Sequence, residues 1–289
     1  MKPGSAMDGT SGTEWILQEI ESLLADPDLN RLGPDLAEPV WDSPLIGVSR
    51  GDDPLYAEFK EKIGPFYWTP LDAFRTRFPE ADLADSHLAV IVWVLPQTEA
   101  TRREHRVCTS FPSRRWSLAR HYGEAVNDRI RDHIARLLTD AGYPAAAPVR
   151  LPEFRREVSE RFGIASCWSE RHAAYASGLG TFGLCDGLIT ERGKAVRLGS
   201  VVAAVDIPAT PRPYHSRTEY CLRLAGGECD ACIRRCPAGA ISEDGHDKER
   251  CFAYIRETAM PHVEGELGFP VSSCGLCQTG VPCESRRPR

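Results

Sequence analysis

Eight of the eleven cysteines in this 289-residue chain lie in its last 70 residues. They are Cys221, Cys229, Cys232, Cys236, Cys251, Cys274, Cys277 and Cys283. Buried thiols serving only as small apolar groups do not occur at this density, so the segment must fold around what its sulfurs hold. Disulfides are one option and metal is the other. The first residues, MKPGSAMDGTSGTEW, contain neither an apolar signal core nor a twin-arginine motif. No apolar run approaches the ~18 residues of a membrane span. The expectation is a cytoplasmic chain away from the membrane, and in a reducing compartment clustered cysteines point to metal. An odd total also argues against a fully paired disulfide framework.

The spacing narrows the metal. Cys229-x2-Cys232-x3-Cys236-Pro237 is most of the bacterial ferredoxin run, in which close thiolates wrap one four-iron cluster and the cysteine before proline reaches to a second. Eight thiolates are the number that two [4Fe-4S] clusters need. Exchanging one ligand between the motifs gives Cys221, Cys229, Cys232 and Cys283 for the first cluster. The second takes Cys236, Cys251, Cys274 and Cys277. The standard run would place its first cysteine at Gly226, so Cys221, five residues earlier, is the substitute. Cys283 follows Pro282 rather than preceding a proline. The CxxC pairs would also suit zinc, but a CxxxCP loop is not a zinc-ribbon element.

The remainder reads as an α/β or α+β domain. Composition is globular, with 42% hydrophobic and 26% charged residues and a formal charge of −6, so no bulk attraction to nucleic acid or membrane is expected. Helical spacing is expected over 13–25, 55–63, 71–77, 117–141, 155–161 and 169–177. His87–Leu95 is a continuous apolar run suited to a strand buried on both faces, with further strands at 188–190 and 200–206. Residues 26–54 read as an irregular connection. PATPRPYHS marks a linker, which divides the chain into an α/β cofactor- or substrate-binding domain, 1–207, and an iron–sulfur domain, 208–289.

Between Glu170 and Cys185 runs a second informative segment, ERHAAYASGLGTFGLC. Its G-x-G-x-x-G follows a helix and leads into a strand, the reverse of a dinucleotide fingerprint. Gly178, Gly180 and Gly183 instead suit a tight backbone path, against a cofactor or against the protein. His172 and Tyr175 are three residues apart and share a helical face, where either could donate a proton or pack against the sheet. Cys185 and Arg197 are further candidates for contact with a cofactor. Cys108, Cys167 and Glu124 are weighed against plain burial or ion pairing.

Taken together, A-x-x-S-G-L-G-x-x-G, a downstream G-S-V strand and C-x-x-C-x-x-x-C-P-x-x-A-I resemble the epoxyqueuosine reductase family over residues 85–285. That family is related to corrinoid-dependent reductive dehalogenases. The resemblance implies cobalamin on a domain related to cobalamin-processing chaperones, fed by two clusters. It also implies a catalytic aspartate where this chain has Ile164 and a lysine where it has Leu184. The family's helical repeats after the clusters do not appear. These departures turn the expectation away from tRNA modification and towards a short branch of the family. The leading expectation is an iron–sulfur oxidoreductase using an external donor of the flavodoxin or ferredoxin type, acting on a small molecule. The alternatives are a non-catalytic electron carrier or reductive activator of a corrinoid-protein partner, and a zinc-stabilised binding module.

Overall fold

A computed structural model describes residues 9–289. At its centre is a four-stranded sheet built from β1 (Leu45–Arg50), β2 (Ala89–Pro96), β3 (Ala145–Ala146) and β8 (Val196–Ala203), in the order β1-β2-β8-β3. Every pairing in it is antiparallel. All eight residues of β2 are buried. That burial on both faces was legible in the apolar run, but it comes from an antiparallel sheet covered by helices on each side, not from a parallel one. The architecture is therefore α+β.

Alternation along β2 sorts its side chains onto two cores. Ala89, Ile91, Trp93 and Leu95 face α1 (Gly9–Ala25) and the 27-residue α5 (Arg114–Asp140), through Ile16, Ile20, Ile130 and Ile134. Val90, Val92 and Val94 face α2 (Pro54–Ile63), α3 (Pro70–Arg77) and α6 (Glu170–Ala176). Trp93 stands opposite Gly199 in the β2–β8 register, where any side chain would collide with the indole. The indole Nε1 donates to Asn127 Oδ1 at 2.8 Å, so the polar edge of this fully buried ring is satisfied.

Local chemistry sets the helix ends. Ser113 caps α5 by accepting from the Trp116 amide, and Thr69 and Asp72 form a reciprocal capping box on α3. The expected helices at 13–25, 55–63, 71–77, 117–141 and 169–177 are present within a few residues. Residues 155–161 are a correction. They supply β4 (Arg156–Ser159), which pairs with β5 (Gly163–Ser166) in a hairpin. The 26–54 connection is also more ordered than expected, since it contains β1. The polar helix α4 (Glu99–Arg106) had no apolar stripe to announce it.

The glycine segment forms a second hairpin, β6 (Gly180–Phe182) with β7 (Leu188–Thr190). Beyond it the chain makes only short elements. These are α7 (Ala231–Arg234), the hairpin of β9 (Ile241–Ser242) and β10 (Gly245–His246), and a helix from α8 (Lys248–Tyr254) through a wide π turn, Ile255–Ala259, into α9 (Met260–Leu267). Pro261 has no amide to donate into this helix, and the wide turn lies just before it. Among the described residues no helix is long and apolar enough to cross a membrane.

Candidate metal centre

A small third core joins the two halves of the sequence. Leu184, Cys185 and Ile189 from the β6–β7 hairpin pack with Tyr214, Tyr220, Cys221, Cys232, Ile241 and Val281. Next to it is a small cavity of about 20 Å³, room for about one water molecule. Cys221, Cys229, Cys232 and Cys283 all line it, together with Gly183, Leu184 and Lys194. The four sulfurs come from different local structures. Cys221 follows the Thr218 turn, Cys229 and Cys232 flank the start of α7, and Cys283 lies in the final loop. They surround a hollow and do not fill it.

The other four expected ligands form a second neighbourhood. Burial, with a contribution from the nearby Cys251 and Cys236 sulfurs, pushes the Cys274 thiol up to about 11. Cys277 follows Cys274 in the same loop, and its contact with Cys185, its burial and the nearby Cys274 sulfur all raise its thiol. Cys236 Sγ accepts the Ala240 amide at 3.3 Å, an N–H···S contact of the type that tunes thiolate-bound clusters. His246 approaches Cys251 and holds Asp186 Oδ2 at 3.1 Å; these two partners raise the imidazole to about 10. Among the described residues, no three His, Cys, Asp or Glu side chains close around a single ion-sized point.

Backbone clamps fix both loops. Gly275, at φ +71°, lets the Cys274–Cys277 turn lie directly on the Trp116 ring, where a β-carbon would collide. Arg235 ties the same turn to α4: it donates to the carbonyl oxygens of Leu276 at 3.2 Å and His105 at 3.3 Å. Buried Glu284 anchors the Cys283 loop. It accepts from the Gly280 amide at 2.6 Å and from Arg106 Nε at 3.2 Å. His105 is fully buried and stacks on Trp116 with centroids 4.2 Å apart; burial and the nearby Arg235 charge lower it to about 3, so it is neutral.

The remaining sequence candidates divide into three places. Cys185 belongs to the sulfur region. Its side chain meets Cys232 of the first set and Cys277 of the second, and it accepts from Lys194 Nζ at 3.2 Å. Gly183 lines the cavity. Gly178 and Gly180 pack against the chain itself: a β-carbon on Gly178 would come 2.6 Å from the Pro211 carbonyl, and one on Gly180 would strike that of Ile189.

His172 and Tyr175 stand together in an aromatic wall. His172 sits between Phe59 and Phe182 at 4.8 and 5.0 Å, with Nδ1 2.8 Å from Ser169 Oγ. Tyr175 stacks on Tyr214 at 5.3 Å. Burial lowers His172 to about 3 and raises Tyr175. Arg197 is elsewhere, ion-paired to Glu124 on α5. Arg131 also bonds Glu124, at 2.9 Å, and reaches Asp128 and Glu170. Burial works against the Glu124 charge, but Arg197, Arg131 and Arg120 hold its carboxyl down to about 2. Cys167 is buried and accepts the Arg155 amide at 3.3 Å, while Cys108 donates to the Glu104 carbonyl. Both follow the plain packing alternative.

Lys194 was not singled out in the sequence. It is one basic residue in a T-E-R-G-K turn, and no spacing rule connects it to cysteines nine residues before it and eighty-nine after it. Only folding brings them together.

The fold resembles that of solved reductive dehalogenases. It is similar to the catabolic reductive dehalogenase NpRdhA in complex with 3-bromo-4-hydroxybenzoic acid, with a TM-score of 0.52 at 16% identity, covering 96% of this chain and 37% of that one. A reductive dehalogenase structure described as suggesting a mechanism for B12-dependent dehalogenation matches with a TM-score of 0.51 at 16% identity over the same shares. The chain thus spans little more than a third of these dehalogenases. Epoxyqueuosine reductase is also a structural neighbour, with a TM-score of 0.44 at 16% identity, covering 98% of this chain and 70% of that one. The reductive dehalogenases are one of the two groups named by the sequence resemblance. No family model and no curated protein matches the chain.

Proposed function

We propose that the protein is an iron–sulfur oxidoreductase whose two [4Fe-4S] clusters deliver electrons to an acceptor on the sheet-bearing part of the chain. One observation carries this reading: four thiols from distant parts of the sequence line one hollow, beside a second group of four. The donor set fits iron–sulfur chemistry, since soft thiolates are what such clusters require. Cys221, Cys229, Cys232 and Cys283 would hold the first, and Cys236, Cys251, Cys274 and Cys277 the second, in a ferredoxin-like arrangement. When bound, these clusters pass single electrons at low potential. Glu284 and Arg235 keep the ligand loops in place, and the Leu184 and Ile189 side chains exclude water from one wall.

The acceptor is cobalamin or a small substrate. Cobalamin is favoured by the sequence resemblance and by the B12-dependent neighbour. The glycine turn does not itself offer a cradle, because the space beside Gly178 and Gly180 is taken by Pro211 and Ile189. No step is therefore assigned to a corrin. Of the two candidate proton donors, Tyr175 retains its proton at neutral pH while His172 is a neutral imidazole, so Tyr175 is the better source. Electrons would enter from a flavodoxin- or ferredoxin-type donor.

The presence of Ile164 and Leu184 at the two family positions favours a second reading, an electron carrier or reductive activator of a corrinoid-protein partner. The test is anaerobic preparation, dithionite reduction followed by electron paramagnetic resonance, and titration with cobalamin. Reduced-cluster signals with a cobalamin-dependent spectral change support the first reading. Cluster signals that reduce an added corrinoid protein, with no cobalamin bound, support the second. Protein that takes up no iron overturns both.

A further inference from the structure

Lys194 is only 3% exposed. A buried ammonium is expensive unless a negative group faces it, yet no carboxylate makes an ion pair with it among the described residues. The groups that act on its charge are sulfurs: Cys185, Cys283, Cys277 and Cys232. Two of these belong to the first ligand set and one to the second. Cys185, the fourth, belongs to neither; it touches Cys232 and Cys277 and receives the Nζ hydrogen bond at 3.2 Å.

The position of Lys194 is fixed from the backbone. Its amide donates to the carbonyl oxygens of Cys283 and Glu284 at 2.9 and 3.1 Å. Gly193, at φ +76°, presses so closely on the Glu284 backbone that a side chain there would collide. The turn after β7 is therefore docked on the Cys283 loop. Its ammonium is delivered to the seam between the two sulfur sets, with Gly187 leaving room beside both Cys185 Sγ and the lysine stem.

We propose that Lys194 is the internal counter-ion shared by both clusters, and that Cys185 is a non-ligating thiol that holds it between them. This rests on the cluster assignment proposed above. A fixed positive charge favours the reduced, more negative state of any nearby cluster, because net charge and hydrogen bonds to sulfur set cluster potentials. One ammonium at the seam raises both potentials together and leaves the difference between them little changed.

The test is a redox titration of the full anaerobic chain, followed by electron paramagnetic resonance, with iron counted in each sample. Lys194→Met should retain the wild-type iron content and move both midpoint potentials to more negative values. Lys194→Arg should return both towards wild type. Cys185→Ala should keep the iron content and move both in the same direction by a smaller amount; this variant carries the test if Lys194→Met fails to fold. A shift confined to one cluster, or no shift, overturns the proposal. So does loss of about half the iron in Cys185→Ala, which would make that sulfur a ligand. Wild-type protein without iron defeats the cluster reading itself, whereas full iron with unmoved potentials defeats only the counter-ion.

Discussion

The sheet core and the cysteine-rich lobe specify their structures in opposite ways. Around β2, side chains alternate between two apolar cores, and long helices close both faces. Each buried aliphatic side chain there contributes about 2 kcal/mol by leaving water. In the lobe, most elements after residue 208 are a turn or two long, and its small core counts cysteines among its own members. Arg235, Glu284 and Lys194 hold loop backbones in place, while the thiols themselves surround open space. One region is therefore stabilised by what it buries, and the other, on the proposed reading, by what it binds.

That contrast can be broken most severely at the sulfurs. Cys232→Ser should reduce the iron content by about half, measured against protein concentration, and leave the far-ultraviolet signal of the sheet and long helices largely intact. Stripping the metal with a chelator should expose the lobe to protease first, with cleavage after residue 208, while the sheet-bearing part survives. Simultaneous loss of both parts would show that the contrast is false.

The converse change is in the core. Trp93→Ala removes a fully buried ring and strands the Asn127 amide, so it should lower stability by about 4 kcal/mol, read by denaturant unfolding. The iron content of the protein that remains folded should be unchanged. A smaller effect is expected where the two regions meet. Gly275→Ala forces a side chain into left-handed backbone and against Trp116. It should weaken retention of the second cluster selectively, by about a few kcal/mol of backbone strain and overpacking, seen as faster loss of one spectroscopic signal on dilution.

The smallest effect is electrostatic. Glu124 has its carboxyl pKa lowered to about 2, so its contribution is complete above its ordinary value near pH 4.5 and is lost as pH falls towards 2. The same crowding of guanidiniums, Arg197 foremost, lowers Arg120 to about 10 and offsets part of the gain. Glu124→Gln should therefore cost about 1–3 kcal/mol at neutral pH. The difference in melting temperature from wild type should narrow below pH 4.5. A difference that stays constant down to pH 3 would remove the charge from the account.

How much of this was legible varies with the kind of signal each region gives. β2 and α5 announce themselves because burial imposes a period. The β4–β5 hairpin does not: it is largely exposed, and RREVSER has the composition of a polar helix, so pairing without burial left no alternation to read. β1 was hidden because LIGVSR is short and flanked by Pro- and Asp-rich turns. Of the candidate ligands, the CxxC pairs are visible from spacing, whereas bringing Cys221 and Cys283 to Cys229 and Cys232 depends on the fold. The Lys194–Cys185 contact was not legible, because it depends on a turn after β7 meeting the final loop. An all-apolar strand does not fix the direction of its neighbours, since covering both faces of an antiparallel sheet with helices yields the same pattern as a parallel one.

The central claim is that eight thiols in two neighbourhoods hold iron and sulfide. The most direct measurement is an inventory of iron, acid-labile sulfide and zinc in the full chain prepared without oxygen. The account predicts about eight irons and eight sulfides per chain and negligible zinc. Stoichiometric zinc, with neither iron nor sulfide, would contradict it.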